Sequence, residues 1–100
     1  MTFRYLGDTS EVFNPSYSFR RFGQIADMDE DFAQQKCVEG LPIIPEETFD
    51  SIGFEDAELE KYPSAISHME APQAFKEKKK RALDALHQYR EHLRGVINAH

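Results

Sequence analysis

Residues 40–54 read GLPIIPEETFDSIGF, with two prolines, two glycines and six large apolar side chains in fifteen positions. Pro42 and Pro45 each fix a φ angle and push the preceding Leu41 and Ile44 toward extended geometry, so this backbone is stiff and unlike a flexible linker. Pro45 suits the first position of a helix over PEETFDSI, where Glu46 and Glu47 meet the positive end of the helix dipole and Gly53 follows the last turn. A stiff extended entry followed at once by a short helix brings Ile43, Ile44, Phe49, Ile52 and Phe54 together. The stretch is therefore expected to be a packing junction, with its apolar side chains set against whatever precedes it.

What precedes it reads as β. Phe3, Tyr5, Val12, Phe13, Tyr17, Phe19, Phe22 and Ile25 are strand-favouring types, interrupted by turn chemistry at Gly7-Asp8, Asn14-Pro15 and Gly23. Residues 1–26 thus predict a unit of two or three short antiparallel strands. In SYSFRR the alternation sets Tyr17 and Phe19 on one face and Ser16, Ser18 and Arg20 on the other, and a bend is expected near Gly23. Residues 27–63 predict short acidic helices around the proline-rich junction. Asp27 and Glu30 have the spacing of a capping box; Phe32, Ala33, Lys36 and Cys37 share one side of the helix that follows, and Gly40 ends it. Cys37 is expected to be a small buried hydrophobe. A further helix over roughly Asp56 to Lys61 is stopped by Pro63.

The last element spans residues 72–98, opening at Pro72. Ala82, Leu86, Tyr89, Leu93 and Val96 follow steps of 4, 3, 4 and 3, with Phe75 one heptad earlier and Leu83 and Ile97 widening the stripe. At ~1.5 Å per residue such a helix is about 40 Å long, more than a small core needs. Part of it is expected to pack on another chain, through Leu86, Tyr89, Leu93 and Val96 and through Lys76, Lys79 and Lys80; the alternative is that it lies across the sheet of its own domain. The fold class expected is α+β: one domain over residues 1–100, with an N-terminal antiparallel β unit, short helices and a long C-terminal amphipathic helix.

A chain of 100 residues buries somewhat under ~70% of its unfolded surface, so the core is modest. With 30% charged residues there is little apolar material to spare, and part of the stability is expected to come from a partner. The net charge of −6 is unevenly laid out: +1 over residues 1–26, −11 over 27–60 and +4 over 61–100. Such a dipolar layout suits head-to-tail association of copies, or docking on a charged partner, better than coating nucleic acid. Cys37 is the only cysteine, which excludes an internal disulfide framework and a cysteine-based zinc site. No run approaches the ~18 apolar residues of a membrane span, and MTFRYLGDTSEV has no signal-like apolar core. A soluble protein made in a reducing cytoplasm is expected, with no membrane partner.

No residue set names a reaction, so no catalytic, cofactor-binding or metal-ligating residues are assigned, and a non-enzymatic role is expected. His87 and His92 are about 140° apart around a helix, unlike the one-face pair of a helical metal site, and are expected to face solvent. DMDEDF fails as a calcium loop, because Phe32 and Val38 stand where the glycine and glutamate are required. The five glycines are never closer than 13 apart, so there is no phosphate-cradling loop. The basic run KEKKKR, residues 76–81, offers phosphate or carboxylate contacts, but no base-reading module or aromatic platform accompanies it.

FRYLGD, the unit around VFNPSYSFRRFGQ, the helix DEDFAQQKCVEG and the segment LPIIPEETFDSIGF together resemble, over about residues 3–60, small accessory proteins from the structural gene clusters of tailed bacteriophages and prophages. The resemblance implies a non-enzymatic, many-copy virion protein at the capsid or head-to-tail junction, with copies of itself and other virion proteins as partners. It carries no residue-level site. The alternative reading is a regulatory binding module that contacts nucleic acid or inhibits a protein partner.

Overall fold

The computed structural model describes residues 1–7, 11–14, 17–19 and 21–98. Its element order is β1 (Thr2–Tyr5), β2 (Glu11–Asn14), β3 (Tyr17–Phe19), β4 (Ile25–Asp27), α1 (Glu30–Glu39), β5 (Ile43–Pro45), α2 (Glu46–Ile52), α3 (Asp56–Lys61), α4 (Ala65–Glu70) and α5 (Gln73–Asn98). The class is α+β. β1 is the central strand of a three-stranded antiparallel sheet ordered β4-β1-β5, and β2 and β3 form a separate hairpin with an irregularity between Val12 and Asn14. The expectations that rest on Asp8, Pro15, Ser16 and Arg20, and on the side chains of Val12, Phe13, Tyr17 and Ile97, lie outside the described residues.

In β1 the alternation is strict: Phe3 and Tyr5 are buried, while Thr2 and Arg4 are only partly covered. The buried pair fixes the register, because slipping by one residue would turn both rings toward solvent. Phe3 lies opposite Ala26 on β4 and Pro45 on β5, and Tyr5 lies opposite Ile43. The Tyr5 ring stacks on Phe19 at 4.6 Å between centroids, tying the hairpin to the sheet. Ser18 is exposed and Phe19 buried, as the alternation in SYSFRR requires. The bend expected at Gly23 is present at φ +82°, and its amide donates to the Tyr5 carbonyl at 2.6 Å.

The proline-rich junction turns out to be a strand as well as a packing segment. Ile43–Pro45 pairs along β1, with Pro45 at an outer strand where its missing N–H breaks no ladder bond. Pro45 is consequently the N-cap residue of α2, one position earlier than expected, and Gly53 closes the helix in the left-handed region. Helix α1 is capped by Asp29, whose side chain accepts from the Phe32 amide at 3.2 Å. Asp27 instead ends β4 and pairs with the N-terminal ammonium at 3.3 Å, because the strand needs that residue before the chain is free to turn.

Ile43, Ile44 and Phe49 are buried, and Ile52 and Phe54 pack against the core from its edge. Phe22 sits at the centre of an aromatic cluster: Phe54 at 5.4 Å, Phe75 at 6.0 Å, Phe49 at 6.4 Å and the His68 ring edge-on at 4.9 Å. Such tilted and edge-to-face pairs add to simple area burial. The residues that meet here come from the β unit, the junction, α4 and α5, which makes one core of segments far apart in sequence.

Helix α5 touches α1, α2 and β5. Its buried residues are Phe75, Ala82, Leu86 and Leu93, one stripe along its length. Arg90 fastens it at the far end. The guanidinium donates to the Cys37 carbonyl through Nε and to the Gly40 carbonyl through Nη2, both at 2.9 Å. A cation is thereby placed at the C-terminus of α1, where the helix leaves carbonyls without intrahelical donors.

Candidate interaction surface

Helix α4 was not expected, and it shapes the most distinctive surface of the protein. Pro63 and Pro72 bracket it. Ser64 and Ser67 form a reciprocal cap at its start, with the Ser64 amide donating to Ser67 Oγ at 3.0 Å. His68 turns inward, only 4% exposed, with Nε2 2.8 Å from the Tyr62 carbonyl and its ring against Phe22 and Phe75. Anchoring the helix through His68 leaves the other side of α4 outward, where Ile66 is 75% and Met69 78% exposed. Large apolar side chains that open to water are costly to leave uncovered and mark interaction sites when they cluster.

Met69 does so, against the first turns of α5. Ala65, His68 and Met69 of α4 line a shallow groove of about 620 Å³ with Lys76, Lys79, Lys80 and Leu83 of α5. Leu83 is 42% exposed. The helical period sorts the basic run: Lys78 turns away from this groove and pairs with Glu58 of α3 at 2.6 Å, whereas Lys76, Lys79 and Lys80 share the groove. The result is an apolar floor with ammonium groups around it. Three of the residues expected to bind a partner, Lys76, Lys79 and Lys80, are thus brought together, with Met69 and Leu83 beside them.

The apolar stripe expected to mate with another chain is placed differently. Leu86 and Leu93 are buried in the core of their own chain, at 4% and 3% exposure, and are corrected from partner residues to core residues. Tyr89 is half-buried beside α1, and of the four only Val96 is well exposed, at 46%. The physical reason is that a sheet of three short strands does not cover its own apolar face, so α5 closes it. The helix length is absorbed by running from the aromatic cluster to the C-terminus of α1.

The titratable groups under α5 fit a closed core. Burial pushes the Cys37 thiol above its usual range, against a smaller opposing pull from Arg90, and the thiol donates to the Ile43 carbonyl at 3.4 Å. A buried, protonated thiol is a poor nucleophile. Burial is also the main reason the Tyr89 phenol is pushed up to about 12, with the nearby Cys37 adding and a Gln34 hydrogen bond opposing. His87 and His92 are exposed on α5. Among the described residues no group of three or more His, Cys, Asp or Glu is arranged to hold a metal ion, and no helix is long and apolar enough to cross a membrane.

Sequence reasoning locates the lysines but misses Ile66, Met69 and the turned-in His68. AISHME has no period long enough to announce a helix, and the burial of His68 depends on Phe22 and Phe75, which arrive from distant segments. Pro63 and Pro72, nine residues apart, were the available signal of a separate short element. Comparison with known proteins supplies no relative for this surface: no family model, curated protein or solved structure matches the chain.

Proposed function

We propose that this chain is a non-enzymatic structural or assembly protein that multimerises or bridges neighbouring subunits. The observation that carries the reading is the α4–α5 groove, in which Met69 and Leu83 stay open to water beside three lysines, with Ile66 exposed on the same helix as Met69, while most of the large apolar side chains are folded into a core. A chain with so little apolar surface to spend gains nothing from leaving these side chains uncovered unless something covers them. The likeness of residues 3–60 to tailed-phage accessory proteins suggests the setting, a many-copy component of a virion at the capsid or head-to-tail junction. The regulatory alternative, contact with nucleic acid through the same lysines, accounts for the ammonium groups but leaves the apolar floor without a role, and the net charge of −6 opposes it.

Sedimentation velocity tests the proposal on the purified chain and on the chain co-produced with the products of the genes flanking its own. A particle larger than the 11.6 kDa monomer, either a multimer or a stoichiometric complex, is the expected result. A monomer in both preparations overturns the reading.

A further inference from the structure

We infer that the α4–α5 groove is the seat for the acidic α3 surface of a second copy of this chain, so that copies join head to tail; this rests on the assembly reading above. The groove presents Met69 and Leu83 with Lys76, Lys79 and Lys80. Its complement lies elsewhere on the same molecule. Residues 37–60 contain eight carboxylates and no lysine or arginine. Some of these carboxylates are engaged within the chain: Glu39 with Lys36, Glu46 with Arg4 and Glu58 with Lys78. Asp56 and Glu60 are exposed, four apart on one side of α3, and they line a second groove of about 400 Å³ with Ile25, itself 56% exposed. Arg21 and Arg4 also line that groove; Arg4 is turned to the Gly23 carbonyl and to Glu46.

The pairing follows from matching like with opposite. Ile25 meets the Met69–Leu83 floor, and Asp56 and Glu60 meet Lys76 and Lys80. Apolar contact supplies the affinity, and the charges set partner and register. An anionic lipid or nucleic-acid surface would answer the lysines, but the chain's net charge of −6 opposes its approach, whereas a contact with α3 uses the acidic charge as attraction. Because groove and α3 surface are different patches, the contact is heterologous, and repeating it builds a ring or an open string of copies.

This geometry makes a specific demand of two variants. Lys76→Glu with Lys80→Glu disables the groove and leaves α3 intact; Asp56→Lys with Glu60→Lys does the reverse. All four positions are exposed, and circular dichroism confirms that each variant keeps the parent's helix content. Neutralising versions, with Gln or Asn at the same positions, replace any variant that does not. By sedimentation the parent is expected to assemble, each variant alone to self-associate at least tenfold more weakly, and an equal mixture to recover assembly, because the intact groove of one variant meets the intact α3 of the other and the two reversed patches are again opposite in charge. Raising salt from about 0.05 to about 0.5 M is expected to weaken the parent's assembly, since screening shortens the reach of these charges. Assembly of either variant as strong as the parent's, a mixture that stays monomeric, or a monomeric parent that the same lysines hold on anionic vesicles or nucleic acid overturns the inference. A monomeric parent that still forms a complex with a flanking gene's product overturns it while leaving the assembly reading intact; a monomer in both settings removes both.

Discussion

Replacing Arg90 with methionine removes the clamp between α5 and the end of α1 while keeping an unbranched side chain in place. The parent guanidinium makes two bonds of 2.9 Å, to the Cys37 and Gly40 carbonyls, the first partly buried and the second exposed. A hydrogen bond from a charged donor contributes about 1.5–3 kcal/mol, and a cation at a helix C-terminus about 0.3–1 kcal/mol. Water replaces the bond to Gly40 at little cost, so the partly buried bond and the dipole term dominate, giving a loss of about 2–3 kcal/mol. In urea, with a slope of ~1–3 kcal/mol/M for a small domain, the midpoint is expected to fall by about 1–3 M. Arg90→Lys keeps the charge but not the fork of donors, and its midpoint is expected between the two. A loss below about 0.5 kcal/mol for Arg90→Met would refute the reasoning, because it would mean that the α1 carbonyls are as well served by water and that α5 is held by its apolar stripe alone.

Two glycines respond in opposite directions to alanine. A Cβ on Gly7 falls on the buried Tyr5 ring and hydroxyl, which the Phe19 stack holds in place, so Gly7→Ala is expected to cost about 1–3 kcal/mol in the same urea assay. Gly95, inside α5 with nothing near its would-be Cβ, is expected to gain about 0.5–1 kcal/mol on becoming alanine. Equal effects at the two sites would refute the placement of Tyr5. The Tyr89 phenol binds its proton more tightly in the folded state, about 12 against the usual 10.0, so its contribution to stability is whole below pH 10.0 and is lost as pH rises through 12. Urea midpoints of the parent are expected to fall across that window more steeply than those of Tyr89→Phe, and parallel curves would show that the phenol is not buried as described.

The parts of the fold that are legible in the sequence are those set by local chemistry. The long helix is announced by a stripe that repeats for seven turns without a proline, and α2 and α3 by proline, glycine and acids at their ends. Which surface the stripe covers is a different kind of fact. Leu86 and Leu93 look the same in sequence whether they meet a neighbour or their own sheet, and the choice was decided by strands too short to close a core unaided. β5 was hidden for a related reason: Ile43–Pro45 is only three residues, and it is a strand because β1 offers it a partner thirty-eight or more positions earlier. The candidate surface divides along the same line. Its lysines stand out as a charge run, whereas Ile66 and Met69 acquire meaning only once His68 is seen to point inward.

That division bears on the assembly role proposed above. The chain commits Phe22, Phe49, Phe75, Leu86 and Leu93 to one core, and Arg90 and the Lys78–Glu58 pair to holding helices on it. None of these is then free to bind, whereas Ile66 and Met69 are mostly exposed and Leu83 is partly so. On the proposed reading, folding and association fall to different residues of the same two helices. Substitutions in the groove should therefore alter assembly with melting behaviour unchanged, whereas substitutions on the buried side of α5 should unfold the chain before assembly is measured. A groove variant such as Met69→Ser that lowered stability by more than about 1 kcal/mol would contradict the separation, since an exposed side chain with no core contact belongs among surface changes within about ±0.5 kcal/mol.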